Sequence, residues 1–346
     1  MRKPTDSTLV SISKHLNLSV STVSRALSGQ SKKYRISDKT TKLILETARK
    51  FNYRPNQLAR GLILKRTNTV GIIIPDITNP FFANIVRWIE RAARDNGVSI
   101  LISDSNDQTS VEQTSLKEFI GRKIDGLIIS PVGQEQSHLR EAKEKQIPIV
   151  LIDRNFSNLD LPYVGSENFQ GTKSAIEYLI KNGHQKIGFI QGLPESSVNM
   201  DRVNGYRDAL EEHHIPFDPE LVVGNDFGVE NGYTGTKLLL SKEEKVTAIF
   251  AASNLIALGT IKAINESGLH IPRDISLIAY DEQFFCEYLS IPLTTVSQQS
   301  KEIGYIAYQL LTDLIKSEDS NNKPFKKIEL PTKLILRNSV KDLNSS

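Results

Sequence analysis

The residues able to do chemistry sit in one recurring place, directly after short runs of apolar, β-branched residues. Asp76, Asn79, Phe81 and Phe82 follow TVGIIIP (69 to 75). Ser103 and Asp104 close VSILIS, Ser130 closes IDGLIIS, and Asp153 and Arg154 close IPIVLID. Gln191, then Ser253 with Asn254, then Asp281 stand at the ends of KIGFIQG, TAIFAAS and ISLIAYD. Carboxylate, amide and guanidinium groups match hydroxyl pairs, and a Phe covers the apolar face of a sugar or stacks on a base. Any one Asp or Asn here need only cap the helix that follows. Taken as a set, they predict a site for a small polyhydroxylated or heteroatom-rich molecule.

The elements that must position this set follow from the pattern around it. Eight β-rich runs between residues 69 and 281 alternate with helical stretches, the pattern of parallel sheets with helices on both faces. In such sheets ligands bind beyond the carboxyl ends of the strands, where these residues fall. Two sets of about four runs suggest two similar lobes. YVGSEN near residue 163 and TTVSQQS near 294 read as crossings between them. A helix from about 300 to 316, a polar loop SEDSNNKP and a final strand pair, FKKIEL and KLILRNS, close the chain.

A second constellation precedes residue 67. In TLVSISKHLNLSVSTVSRALS, Thr8 can cap a helix carrying Leu9, Ile12 and Leu16 at helical spacing. Asn17 suits a left-handed turn, and Ser19 can cap a second helix, Val20 to Leu27. That helix buries Val23 and leaves Val20, Ser21, Thr22, Ser24 and Arg25 to face a groove, as a recognition helix does. A bare helix-turn-helix is a weak signal, but charge supports it. The first 66 residues hold fifteen Lys or Arg against three acids, while the rest holds 28 against 37. A head of +12 on a body of −9 implies a polyanion partner for the head alone, with Arg2, Lys3, Lys14, Lys32, Lys33, Arg35, Arg54 and Arg60 available to phosphates. The head lacks a basic amphipathic helix with large apolar anchors, so DNA fits better than a membrane surface.

Other classes find little support. The first strand is followed by IIIPDITNP rather than a GxGxxG turn, and GSENFQGTK (165 to 173) has the wrong spacing for a phosphate loop. The six His do not cluster at metal spacing, and the single Cys286 excludes an intrachain disulfide. No nucleophile, base and orienter can be nominated. The expectation is a chain that is not an enzyme and uses no metal or cofactor. No run approaches the roughly eighteen apolar residues of a membrane span, and MRKPTDSTLV has no export signal, so the expected location is the cytoplasm.

Over nearly its whole length the chain resembles the lactose-repressor/galactose-repressor (LacI/GalR) family of bacterial transcription regulators. The likeness is carried by LSVSTVSRALSG, NYRPNQLARGL, VGIIIPDITNPFFANIVRWIE, DGLIIS, RVNGYRDAL, TAIFAASNLIALG and IPRDISLIAYDEQFFCEYLSIPLTTVSQ. The resemblance implies a helix-turn-helix domain (1 to 54), a hinge helix and linker (55 to 67), and a two-lobed, periplasmic-binding-protein-like effector domain (68 to 346). The expected first lobe takes 68 to 165 and 297 to 323, and the second takes 166 to 296 and 324 to 346. It also implies a homodimer on a near-palindromic DNA operator, released or tightened by a sugar, sugar derivative or nucleoside-like effector.

Carried over residue by residue, Val20 and Ser21 fall at the family's main base-reading positions and Thr22, Ser24 and Arg25 at supporting contacts. Leu62 matches a leucine that wedges into the central minor groove, where unstacking costs a few kcal/mol but opens a kink. With Thr8, Ser19, Lys32, Lys33, Tyr53 and Asn56 these make the expected DNA-contacting set. Phe81, Phe82, Asp153, Arg202, Phe227, Ser253, Asp281 and Gln298 are placed around the effector, joined by the strand-end residues Ser130, Arg154 and Asn254. The chain departs from the family pattern in four ways. The loop from Ser28 to Ile36 is longer, Ser11 replaces an Asp, Thr41 stands where Arg is common, and Ser253 with Asn254 replaces an Asn and Asp pair. A solute-binding protein would share the body but would have no use for the basic head.

Overall fold

A computed structural model describes residues 8 to 53, 66 to 133, 135 to 156, 158 to 317 and 326 to 345. These divide into two compact units, with the boundary between Thr67 and Asn68. The first contains α1 (Leu9–Leu16), α2 (Val20–Leu27) and α3 (Asp38–Lys50). Their apolar stripes meet in a small core of Ile12, Val23, Ala26, Ile44 and Ala48.

Short polar residues set the helix ends. The Thr8 side chain accepts from the Ser11 amide at 3.2 Å and the Ser11 hydroxyl oxygen accepts from the Thr8 amide at 2.9 Å. Ser11, the departure from the family's Asp, therefore closes a capping box, which satisfies two amides left open by the first helical turn. Asn17 ends α1 with φ 52°, in the left-handed region expected of it. Ser19 caps α2 through the Thr22 amide and Ser37 caps α3 through the Thr40 amide, both at 3.1 Å.

The second unit is built on two six-stranded sheets. In chain order its elements are β1 (Thr69–Ile74), α4 (Pro80–Asp95), β2 (Ser99–Asp104), α5 (Thr109–Gly121), β3 (Gly126–Ile129), α6 (Ser137–Glu144), β4 (Ile149–Ile152) and β5 (Tyr163–Ser166). Then follow α7 (Asn168–Lys181), β6 (Ile187–Ile190), α8 (Ser197–Glu212), β7 (Val222–Val223), α9 (Val229–Ser241), β8 (Ala248–Ala251), α10 (Asn254–Glu266), β9 (Ser276–Tyr280) and β10 (Thr294–Ser297). The chain closes with α11 (Ser300–Lys316), β11 (Lys327–Leu330) and β12 (Lys333–Ile335). The first sheet runs β11-β5-β4-β3-β1-β2 and the second β12-β10-β9-β8-β6-β7.

Both sheets are parallel except where β12 pairs antiparallel to β10. Strands such as β3, β4, β6 and β8 are buried along their whole length, as continuous apolar runs covered on both faces must be. Close helix packing over the second sheet depends on small residues. A Cβ on Gly259 of α10 would lie 1.9 Å from the Val229 carbonyl oxygen of α9, so only glycine permits that approach.

Two expectations are corrected. The segments YVGSEN and TTVSQQS each contain a strand, β5 and β10, and the crossings come just after them. FKKIEL and KLILRNS do not pair with each other. β11 lies parallel to β5 at the edge of the first sheet, and β12 edges the second. The last crossing therefore falls between Leu330 and Lys333 rather than at residue 323, and 326 to 330 belong to the first lobe. Alternating apolar residues mark a strand but do not name its neighbour, and two residues between strands read like a hairpin from sequence alone.

Candidate functional site

In the head, α2 presents the expected face. Val20, Ser21 and Arg25 are exposed, Thr22 and Ser24 half-buried, and Val23 and Ala26 buried. The Ser19 hydroxyl lies 2.9 Å from that of Ser21 and 2.8 Å from that of Thr22, so a local hydroxyl cluster opens the helix. Thr8, Lys32 and Lys33 are exposed. Tyr53 is half-buried beside the core, with its phenol pushed up by desolvation. Asn56, Leu62 and the whole stretch 54 to 65 lie outside the described residues, as do Arg2 and Lys3.

In the body, strand ends and helix starts from both lobes enclose a cavity of about 310 Å³. That is the small end of the range for ligand pockets. Phe81, Phe82, Asp153, Arg154, Arg202, Phe227, Ser253, Asp281 and Gln298 line it. Phe81 and Phe82 begin α4, which Asn79 caps by accepting from the Phe81 amide at 3.0 Å. Their rings meet edge to face at 5.1 Å. Five expected residues do not line the cavity. Ser103 bonds the Ser115 hydroxyl, Asp104 accepts from the Ile77 and Asn106 amides, and Gln191 donates to Gly224 O and accepts from Asn199 Nδ2. Ser130 is buried just after β3. Asn254 instead donates from Nδ2 to Asn79 Oδ1 at 3.0 Å, because its place in the first turn of α10 aims it at the opposite lobe.

Asp153 and Asp281 occupy equivalent places in the two lobes, each just after the third strand from its sheet's β11 or β12 edge. Asp153 has φ 59° and Asp281 φ 74°, so each breaks its strand with a left-handed residue. Asp tolerates that region better than most residues, and such backbone turns concentrate at functional sites. Each amide still closes the sheet, donating to Val164 O and Val296 O respectively, both at 2.9 Å. Burial pushes the Asp153 carboxyl up to about 6, against the pull of Arg202 and Arg154. Burial also raises Asp281, whose Oδ1 accepts from Gln298 Nε2 at 2.6 Å.

The two arginines are fixed by bonds to the protein. Arg202 donates from Nε to Asn168 Oδ1 at 2.9 Å and from Nη1 to Ala252 O at 2.6 Å, with its guanidinium 3.6 Å from the Tyr280 ring centre. Arg154 donates from Nη1 to Asp107 Oδ1 at 2.5 Å and lies 5.2 Å from the Phe227 ring centre. Ser253 is committed to structure. Its hydroxyl accepts from the Ile256 amide and donates to Phe227 O, each at 3.1 Å. Rigid cations, two buried carboxylates and three Phe rings form a small pocket suited to a polar ring with an apolar face.

Sequence reasoning left several lining residues out of its site. Asn106, Asp107 and Asp226 line the cavity beside Asp76 and Asn79, which the strand-end pattern includes. Asn106 and Asp107 have φ 49° and 51° in the turn after β2, so the strand-end rule carried three residues past Asp104 would have found them. Gly192 had no such signal. A Cβ there would lie 2.1 Å from the Phe227 ring, so this glycine makes room for the wall of the cavity.

Residues 8 to 56 match the model of the bacterial regulatory proteins, lacI family, and residues 176 to 340 match the periplasmic binding protein-like domain. Catabolite control protein A of Priestia megaterium is 33% identical over 335 residues, covering 96% of this chain and 99% of that protein. The chain belongs to the lacI family. Its head is thus a helix-turn-helix DNA-binding domain and its body an effector domain, the plan of a transcription regulator. The lac repressor dimer bound to operator and the anti-inducer ONPF superposes with a TM-score of 0.85 at 25% identity, over 98% of this chain and all of that one. A lacI-family regulator from Enterococcus faecium with bound ribose gives 0.71 at 29% identity, over 80% of this chain and 99% of that one. No helix among the described residues is long and apolar enough to cross a membrane.

Proposed function

We propose that this protein is a cytoplasmic, ligand-gated repressor of a carbohydrate catabolic operon. It binds a near-palindromic operator as a homodimer and catalyses no reaction. The observation that carries the reading is one chain joining an exposed polar and cationic α2 face to a small cavity lined by Asp153, Asp281, Arg202 and Phe rings. The effector that fits is a monosaccharide or a close derivative. Its hydroxyls would donate to the two carboxylates and accept from the guanidinium groups, while its ring lies against Phe81, Phe82 or Phe227. A nucleoside-like ligand uses the same groups with its base stacked on a Phe. The bound ribose of the Enterococcus faecium regulator, a protein of the same fold, supports the sugar.

Ligand coupling in such switches is typically worth about 1 to 3 kcal/mol, or roughly 5- to 150-fold in operator affinity. The test is fluorescence anisotropy on duplex DNA with the full chain and with a body starting at Asn68. The full chain should bind with log K falling linearly against log salt, by about 0.9 for each phosphate neutralised, while the body should not bind. A thermal-shift screen of sugars, sugar acids and nucleosides then finds the effector. A body that bound DNA as well as the full chain would remove the head from the reading. Sedimentation of the full chain as a monomer at micromolar concentration would remove the homodimer.

A further inference from the structure

The long loop between α2 and α3 is an ordered turn rather than a slack connection. Gly29, at φ 74°, ends α2 in a paired closure in which Gln30 N donates to Arg25 O at 2.9 Å and Gly29 N to Ala26 O at 3.1 Å. A second closure of the same kind follows at once. Ile36 N donates to Ser31 O at 2.9 Å, Arg35 N donates to Lys32 O at 3.3 Å, and Arg35 takes the left-handed position at φ 53°. This is the Schellman pattern, used here to close one isolated turn. The turn is also pinned at its base. Ser31 is buried, and its hydroxyl is bonded to the Thr41 hydroxyl of α3 at 2.9 Å.

Two departures from the family pattern therefore belong together, because Thr41 anchors the longer loop. What the turn holds up is basic and aromatic. Lys32, Lys33 and Arg35 are exposed, and the Tyr34 ring lies against Arg25 of α2, with the guanidinium 3.9 Å from its centre. An exposed Arg has high rotamer entropy, part of which it loses when it binds. A ring already stacked on its guanidinium removes part of that loss beforehand.

Building on the reading of the head as a DNA-binding domain, we propose that the Ser31–Ile36 turn is a second DNA-contacting element. In it Tyr34 is a positioning residue for Arg25, and Lys32, Lys33 and Arg35 meet phosphates beside those reached by α2. The turn thus widens each half-site footprint and fixes the side chain at the end of the recognition helix.

The experiment uses the full chain and two duplexes: one recovered by the wild-type protein from a random-sequence pool, and a scrambled version of it. Replacing Lys32, Lys33 and Arg35 together by Ala should lower affinity for both duplexes and flatten the salt slope by about 2 to 3, at roughly 0.9 per phosphate. Tyr34→Ala should weaken the selected duplex about 5- to 10-fold and the scrambled one much less, with Tyr34→Phe restoring the loss because the ring suffices. In the Arg25→Ala background Tyr34→Ala should add nothing. An unchanged salt slope in the triple variant, or additive losses for Tyr34 and Arg25, overturns the proposal. Tyr34 is exposed and outside the head core, and equal far-ultraviolet circular dichroism confirms that the variants are folded. If the wild-type chain recovered no duplex from the pool, the DNA reading itself would fail. If it bound and all variants matched it, only this inference would.

Discussion

Asn254 Nδ2 donates to Asn79 Oδ1 at 3.0 Å and so ties the start of α10 in one lobe to the start of α4 in the other. The same Asn79 oxygen caps α4, so the bond between the lobes rests on a rigid helix end. A second tie runs from the Asn155 amide to the Ser197 hydroxyl oxygen at 3.0 Å. The lobes are thus joined by direct hydrogen bonds at both of these points. Effector binding works on a cleft already bridged. Asn254→Ala keeps the α4 cap and removes the bridge, and should cost about 1 kcal/mol. It should lower the urea midpoint of the body and weaken effector binding a few-fold; an unchanged midpoint would show that the bridge is energetically idle.

Asp281→Asn should leave DNA binding intact and abolish the response to effector, because the carboxylate lines the cavity and has no part in the head. Loss of a charged hydrogen bond is worth about 1.5 to 3 kcal/mol, or roughly 10- to 150-fold in ligand affinity. Arg202→Ala should do the same but also destabilise the body, since it strips partners from Asn168 and Ala252 O and uncovers Tyr280. Operator anisotropy with and without effector, read beside thermal melts, separates the two effects. Full responsiveness in Asp281→Asn would place the effector elsewhere.

The pH dependence follows from Asp153, which faces Arg202, Arg154, Asp281 and Asp107. Its folded-state value, about 6, lies above its ordinary value of 3.8, so the folded protein holds a proton that the unfolded chain releases. Stability from this group is therefore greatest below pH 4, declines as pH rises from about 4 to 6, and is flat above that. Effector affinity should run the other way. Hydroxyls donating to the ionised carboxylate favour that form, so affinity should climb by up to about tenfold per pH unit below 6 and level off above it. Calorimetry at pH 5.5 in two buffers of different ionisation enthalpy should show proton release. Proton uptake would mean that the ligand binds the protonated acid.

Gly192→Ala tests the cavity wall. Its new methyl must displace Phe227, whose ring carbon would lie 2.1 Å from it. Effector affinity should fall by tenfold or more, while DNA binding in the absence of effector stays unchanged. Equal effector affinity by calorimetry would show that Phe227 can move aside freely.

Much of this was legible in the sequence because local rules govern it. Thr8 and Ser19 start the first two helices with short polar side chains acting on nearby backbone, Asn17 ends the first with a left-handed backbone, and such effects are written within three residues. Part of the cavity was legible because parallel sheets gather strand ends on one rim, where Asp76, Asn79, Phe81, Phe82, Asp153, Arg154, Ser253 and Asp281 converge, while Arg202, Phe227 and Gln298 came from the resemblance. What was missed is nonlocal. The direction of Asn254 depends on the opposite lobe, and the role of Gly192 on a ring thirty-five positions away. The neighbours of β11 and β12 depend on which sheet edge is open. Leu62 and the hinge rest on resemblance alone.

The chain crosses between its sheets three times, after β5, after β10 and after β11. Neither lobe is therefore a continuous piece of sequence that could be excised, swapped or lost alone. A stop codon shortly before residue 327 would remove the outermost strand of both sheets at once, leaving β5 and β10 as bare edges open to pairing with other chains. Such a late truncation should be as damaging as an early one. A recombination joint that trades effector preference between relatives while sparing both lobes belongs near Asn68, where the two units part. The interleaved ending makes the body a single heritable module, free to be paired with different heads but not to be divided.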